Sequence, residues 1–245
     1  MRNIWTIAIR EYKAYYSSLT AYLFAFIMLL VVGVFTTLSI ITSLNYFGQV
    51  PPPDVQVVVY PVAFLLVFAC PAFTMRLLSE EQRLGTIELL LTAPVRDVEV
   101  VIGKWLGSFL LVLSLIAITL IYPVALNLMT SPGIDQGLMI SGYLGLLLIS
   151  AVFLSIGVAV SSLFSNQIAS FIVTLGVVVF VWWIFGIFAQ VGGGNQLMSF
   201  LDLSSHFYND LTQGVITLKG VVYALCLTAG FLTLGTVSVE TRRWR

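Results

Sequence analysis

The 245-residue sequence predicts an all-α, polytopic membrane protein with six transmembrane helices. Hydrophobic residues make up 59% of the chain and charged residues 9%, with a mean hydropathy of +1.04, whereas soluble domains carry about 25% charged residues. Several uncharged runs are also long enough to cross a hydrocarbon core of about 30 Å, which needs roughly 20 helical residues. We therefore expect residues 1–245 to form a single transmembrane domain. The formal net charge of zero gives no basic surface for nucleic acid.

Residues 1–18 are predicted to form an amphipathic helix that lies at the membrane surface. A helical repeat separates a polar face from an aromatic and aliphatic face. The polar face holds Arg2, Thr6, Arg10, Lys13 and Ser17, and the opposite face holds Ile4, Trp5, Ala8, Tyr12 and Tyr15. No small-residue cleavage site follows, so the segment is not expected to be a signal peptide.

Six apolar segments are then predicted to span the membrane, at residues 19–42, 55–75, 105–129, 139–164, 168–189 and 220–239. Small residues in the fourth segment predict a face for close helix packing, at Ala151, Ser155, Gly157, Ser161 and Ser162. Residues 190–219 are too apolar for a free loop and too polar for a span. They are predicted to form short, half-buried helices outside the membrane.

The distribution of positive charge predicts the orientation. Six spans place both termini on one side, together with ten of the 11 Lys and Arg residues, and only Lys219 lies on the other side. The positive-inside rule assigns the first side to the cytoplasm of a multi-pass plasma (inner) membrane protein. The expected inner-interface anchors are Trp5, Arg10, Arg76, Lys104, Trp105, Arg242 and Arg243. Trp182 and Trp183 are expected near the outer interface.

The segment from Arg76 to Lys104 holds nine of the 22 charged residues. Residues 79–83 favour a short helix with Glu80 and Arg83 on one face. Gly85 and Thr86 then interrupt it and can cap a new helical turn, in which Glu88 is the first acidic residue. Its apolar stripe consists of Leu84, Ile87, Leu90 and Leu91 and ends near Pro94. Such a helix can lie on a bilayer or fit a groove of a soluble partner.

The run EEQRLGTIELLLTAPV, followed by GK, resembles the intracellular loop of type-2 ABC export permeases (ABC-2 type), above all the gliding-motility-associated permease subunits. The matching positions are Glu81, Gly85, Thr86, Glu88, Leu90, Pro94, Gly103 and Lys104. The resemblance implies a cytoplasmic coupling helix that seats in a separate ATPase subunit, and an N-terminal elbow helix. The implied ATPase-coupling residues are Glu80, Glu81, Gly85, Thr86, Glu88, Leu90 and Pro94. It also implies two ATPase copies that bind ATP and Mg, and a second permease copy or homologue.

The sequence gives little support for proton-driven transport, ATP hydrolysis or catalysis by this chain. The predicted spans hold no Asp, Glu, Lys, Arg or His, which disfavours a proton-driven transporter. No G-x-x-x-x-G-K-[ST] phosphate loop and no H-E-x-x-H zinc motif occurs in the sequence. His206 stands beside Ser204 and Ser205 without a nucleophile turn, and Cys70 and Cys226 lie alone in apolar runs. We therefore expect no catalytic residue, cofactor or metal site in this chain.

Two interpretations remain open. In the first, the chain is an ABC transporter permease subunit that an ATPase drives, either for export or for mechanical work on a lipid, polymer or envelope partner. In the second, it is a motor-independent membrane scaffold or channel subunit. The uniformly aliphatic spans do not indicate the cargo, and both interpretations allow membrane lipid and a periplasmic protein as partners.

Overall fold

The computed structural model describes residues 2–46, 52–85, 96–130, 133–184, 187 and 201–243, and all regular secondary structure within these ranges is helical. The α-helices are α1 (Arg2–Ser17), α2 (Leu19–Asn45), α3 (Gln56–Thr74), α4 (Ser79–Arg83), α5 (Asp97–Thr119), α6 (Ile121–Met129), α7 (Gln136–Leu163), α8 (Gln167–Val179), α9 (Leu203–Ser205) and α10 (Leu218–Arg243). The predicted all-helical class is thus confirmed for the described residues.

Five helical segments of the described chain are long and apolar enough to cross a membrane: Leu19–Asn45, Gln56–Arg83, Asp97–Met129, Gln136–Leu163 and Leu218–Thr241. The predicted fifth span, residues 168–189, begins as α8 and continues as a π-helical turn, Phe180–Ile184. Its described apolar stretch, Gln167–Trp183, is shorter than the other five. The count from these residues is therefore five, one fewer than the six that the sequence predicts.

α7 forms the centre of the bundle. It contacts α3, α5, α8 and α10, and 83% of its most apolar window is buried, against 17% for α2 and 22% for α10. The predicted small-residue face of α7 is confirmed as a packing face, because a Cβ atom on Gly157 would lie 2.6 Å from Cβ of Thr74 on α3. α2 and α10 consequently keep most of their apolar surface available for lipid or another chain.

The described part of the region between α8 and α10 contains short helices, as predicted. α9 is followed by a π-helical turn, His206–Asp210, and a 3₁₀ turn, Leu211–Gln213. Trp182 was expected at the outer lipid interface, and this expectation is wrong. Its indole is 1% exposed and contacts the rings of Phe153 and Phe207. The hydrophobic benefit of filling the bundle end outweighs a position at the lipid interface.

Candidate functional site

Two glycines let α1 approach α5 closely. A Cβ atom on Gly103 would lie 2.9 Å from Cβ and Cγ2 of Ile7, and one on Gly107 would lie 2.7 Å from Cβ of Glu11 and 2.9 Å from the Ala8 carbonyl oxygen. Glycines four residues apart lie on the same face of a helix, and the missing side chains allow the two backbones to meet. The N-terminal helix is therefore held against α5 along its length, with Ala8 fully buried in the contact.

A buried ammonium group lies at this contact. Lys104 is 2% exposed, and its Nζ atom lies 2.8 Å from Oε1 of Glu81 on α4 and 3.2 Å from Oε1 of Glu11 on α1. The same Glu11 oxygen also receives the guanidinium of the exposed Arg10 at 3.2 Å. Because removing one partner of a buried ion pair is strongly destabilising, Lys104, Glu11 and Glu81 form one structural unit. We refer to Lys104, Glu11 and Glu81 as the Lys104 triad.

The position of the triad in the fold follows from the start of α5. The sequence placed the inner end of this span at residue 105, with Lys104 as an anchor outside it. α5 instead begins at Asp97, so Lys104 lies about two helical turns inside the helix, among other protein groups. α5 thus begins before the predicted span, and the boundary of the span itself stays a prediction. In the described spans, charged residues occur near the helix ends, in segments Gln56–Arg83, Asp97–Met129 and Leu218–Thr241.

Further hydrogen bonds fix α1 against its neighbours. The Tyr15 hydroxyl lies 2.8 Å from the carbonyl oxygen of Phe73, to which it donates, and 3.2 Å from Oγ of Ser108. Burial raises the pKa of the Tyr15 phenol, so the group stays a neutral donor. At the other end of α1, the Asn3 amide donates to a Glu99 oxygen at 3.2 Å, and the same oxygen accepts the Arg96 N–H at 3.3 Å.

The chain between α3 and α4 is anchored on the end of α7. The Ser161 hydroxyl oxygen accepts the N–H groups of Leu78 and Ser79 at 3.0 and 3.1 Å, and the Gln82 amide donates to the Ser162 carbonyl oxygen at 2.7 Å. α4 then ends at Arg83, and Gly85 follows in the left-handed conformation with φ 69°. Glycine tolerates this conformation without strain, so the predicted interruption of the helix at Gly85 is confirmed.

The predicted ATPase-coupling residues divide into two groups. Glu80, Glu81 and Gly85 are described, and of these Glu81 belongs to the Lys104 triad while Glu80 lies 4.0 Å from the exposed Arg83. Thr86, Glu88, Leu90 and Pro94 lie outside the described residues. The two described ends of this segment, α4 and α5, are joined through the pair between Glu81 and Lys104.

The predicted interface anchors differ in their exposure and in their contacts. Trp5 is 53% exposed and Arg10 and Arg76 are also exposed. Trp105 is half-buried, stacks on Phe109 and donates its indole N–H to the Ala151 carbonyl oxygen on α7 at 3.2 Å. The backbones of Arg242 and Arg243 form the end of α10. The contacts of Gly107 and Ser161 were not among the predicted site features, although the G-x-x-x-G spacing of Gly103 and Gly107 indicates a close helix contact.

This arrangement is a set of structural contacts between three helices. Within the described ranges, no three His, Cys, Asp or Glu side chains gather in a way that could hold a metal ion. The charged groups are paired with one another, and they connect α1, α4 and α5. These pairs join both described ends of the segment between α4 and α5 to the N-terminal helix.

The family of the chain follows from its sequence profile. The profile described as ABC-2 family transporter protein matches residues 5–244. The chain belongs to the ABC-2 transporter family. Comparison with curated proteins gives no match. This ABC-2 family protein is accordingly a multi-pass membrane protein and a membrane subunit of the permease type, a class that generally works with an ATPase subunit.

Proposed function

We propose that this chain is the permease subunit of an ABC transporter in which a separate ATPase subunit drives export or mechanical work across the membrane. The observation that carries the proposal is the Lys104 triad, which joins both ends of the segment containing residues 86–95 to α1. In a member of the ABC-2 family, a charged excursion braced in this way is suited to receive a force from outside the membrane.

In this proposal, residues 85–94 form the cytoplasmic coupling helix. Thr86, Glu88, Leu90 and Pro94 contact the ATPase subunit, and Glu80 lies at the edge of that contact. Glu81 has a different role, since its carboxylate pairs with Lys104 at 2.8 Å inside the protein. Glu81 therefore positions the coupling segment relative to α5, and α1 acts as the elbow helix that moves with it.

The remaining architecture follows the family resemblance. The chain has six spans, with residues 168–189 as the fifth, and both termini are cytoplasmic. The permease works as a dimer of two copies, or with a homologue, and binds two ATPase subunits that hold ATP and Mg. The exposed apolar surface of α2 and α10 supports a partner within the membrane. The similarity of residues 80–104 to gliding-motility-associated permeases suggests mechanical work on an envelope partner as one form of this function.

The competing proposal is a motor-independent scaffold or channel subunit. Such a protein needs no braced cytoplasmic segment, because no force enters it from outside the membrane. The paired charges connecting α1, α4 and α5 favour the motor-driven permease.

ATPase stimulation in reconstituted vesicles tests the proposal. We expect the chain to increase the ATPase rate of its cognate subunit, and Glu88→Lys or Leu90→Asp to abolish that increase while the variants still insert into membranes. Lys219→Glu, at the predicted opposite side, serves as the charge-reversal control and should stimulate normally. Unchanged stimulation by both coupling variants would exclude docking at this segment.

A further inference from the structure

A cavity of about 310 Å³ lies between α1, α2, α3 and α4 and has the Lys104 triad in its wall. Its wall also contains two other kinds of residue. Tyr15, Phe24 and Phe73 supply aromatic surface, and Arg76 and Glu80 supply charge. An aromatic wall beside charged groups suits a ligand that is itself amphipathic.

The Lys104 ammonium is not available to such a ligand. It already lies 2.8 Å from a Glu81 oxygen and 3.2 Å from a Glu11 oxygen, and its side chain is 2% exposed. Two carboxylates at these distances satisfy the charge of the lysine. With Arg10 beside Glu11, two cations face the two carboxylates, and the triad forms a closed part of the cavity wall.

Arg76 and Glu80 are the charges that remain available. They lie four residues apart, which places them on the same side of a helical turn. In the described part of the chain, Arg76 has no carboxylate within 4.0 Å, and Glu80 reaches only Arg83, at 4.0 Å. That contact joins two exposed side chains, and surface pairs of this kind contribute little energy. The cavity thus presents one available positive and one available negative charge.

This charge pattern matches a zwitterion. A guanidinium group binds a phosphate through parallel N–H donors, and a carboxylate accepts hydrogen bonds from a primary ammonium. The cavity also lies at the right level for a lipid headgroup, because Phe24 is near the start of α2 and Phe73 is near the end of α3. Both helices are candidate membrane spans, so the cavity lies where two spans end, at the level expected for the headgroups of the adjacent leaflet.

We propose that this cavity binds the headgroup of a phospholipid that carries a phosphodiester and a primary ammonium, as in phosphatidylethanolamine. Arg76 binds the phosphate, Glu80 binds the ammonium, and the aromatic wall contacts the glycerol and the first acyl carbons. The bound lipid would fill the space between the N-terminal helix and α3 next to the triad. This inference goes beyond the proposed function, because it requires neither an ATPase subunit nor a coupling helix.

Native mass spectrometry of the delipidated, detergent-solubilised chain tests the proposal. Phosphatidylethanolamine, phosphatidylcholine and phosphatidylglycerol are titrated separately, and water-soluble glycerophosphoethanolamine distinguishes a lipid site from a site for the free phosphoester. We expect one phosphatidylethanolamine to bind at least about tenfold more tightly than either other lipid. One hydrogen bond between charged groups contributes about a factor of ten to the affinity. Glycerophosphoethanolamine should bind far more weakly because it has no acyl chains.

Two variants test which part of the headgroup each charged side chain binds. Glu80→Gln should remove the preference for phosphatidylethanolamine over phosphatidylcholine. Arg76→Gln should lower the affinity for both lipids by about tenfold, since both carry the phosphate. Lys13→Gln and Glu240→Gln change exposed residues away from the cavity and should bind lipid like the unmodified chain. Matching unfolding temperatures without lipid establish that all four variants are folded.

Three results would overturn the proposal. The first is equal affinity of the unmodified chain for the three lipids, which would indicate a non-selective annular contact. The second is unchanged lipid binding by Arg76→Gln and Glu80→Gln. The third is glycerophosphoethanolamine binding as tightly as the lipid, which would identify a soluble phosphoester as the ligand. None of these results bears on ATPase stimulation, so the two proposals fail independently.

Discussion

Removal of the Lys104 charge is the most informative perturbation of the fold. Lys104→Met keeps most of the side-chain length and takes away the ammonium that lies 2.8 Å from Glu81 and 3.2 Å from Glu11. Loss of one partner of a buried ion pair costs about 3–5 kcal/mol, because the other partner is left as an uncompensated charge. The carboxylates here keep 17% and 20% side-chain exposure, and Arg10 stays beside Glu11. We therefore expect Lys104→Met to lower the unfolding free energy by an amount at the lower end of this range, about 3 kcal/mol.

Thermal unfolding in detergent measures this loss. About 3 kcal/mol corresponds to a decrease in Tm of roughly 6–12 °C for a chain of this size. Lys13→Met removes an exposed lysine from α1 and should change the unfolding free energy by no more than about 0.5 kcal/mol. The triple variant Lys104→Met, Glu11→Gln, Glu81→Gln should recover at least half of the unfolding free energy that Lys104→Met loses, since no buried charge remains without a partner.

Two results would refute this reasoning. If Lys104→Met unfolds at the same temperature as the unmodified chain, the ammonium is not a buried charge that the carboxylates compensate. If the triple variant is no more stable than Lys104→Met, the loss comes from packing of the lysine side chain and not from unpaired carboxylates.

Three further predictions concern the close contacts around the site. Gly107→Leu should separate α1 from α5 and lower Tm by several degrees, whereas Gly230→Leu, at a glycine with open space around it, should not. Gly157→Ala should destabilise the chain by about 1–3 kcal/mol through its clash with Thr74, measured by unfolding against Gly176→Ala, and an additional Thr74→Ala should restore part of the loss. Ser161→Ala leaves the N–H groups of Leu78 and Ser79 without their acceptor and should cost about 1–3 kcal/mol, with the exposed Thr241→Ala as the control. Wild-type stability of Gly107→Leu, Gly157→Ala or Ser161→Ala would contradict the corresponding contact.

The sequence predicts the helical class, four of the long apolar helices to within a few residues, and the short helix at residues 79–83 with its interruption at Gly85. These features depend on hydropathy and local conformation, which a single sequence displays. The start of α5 was missed because Asp97, Glu99 and Lys104 look like solvent-exposed charges in a hydropathy profile. The partner Glu11 is 93 residues away from Lys104 in the chain, so only the folded structure brings the two together.

The other discrepancies have a similar cause. Trp182 has the composition of an interface residue, yet tertiary packing with Phe153 and Phe207 buries it. The aromatic partners come from distant segments, and their contact has no local signature. In contrast, the Gly-Lys pair at 103 and 104 was recognised by resemblance alone, and the structure supplies its physical reason. The glycine admits α1, and the lysine pairs with both carboxylates that meet there.

Cross-linking of a single cysteine at residue 88 to the ATPase subunit tests the central proposal most directly. In native membranes, with Cys70 and Cys226 replaced by alanine, Glu88→Cys should form an adduct with the co-expressed ATPase when a short bifunctional thiol-to-amine reagent is added. A cysteine at Lys219 should form none. Absence of the adduct at residue 88, together with labelling of this cysteine by a membrane-impermeant reagent from outside the cell, would contradict a cytoplasmic segment through which an ATPase moves the permease.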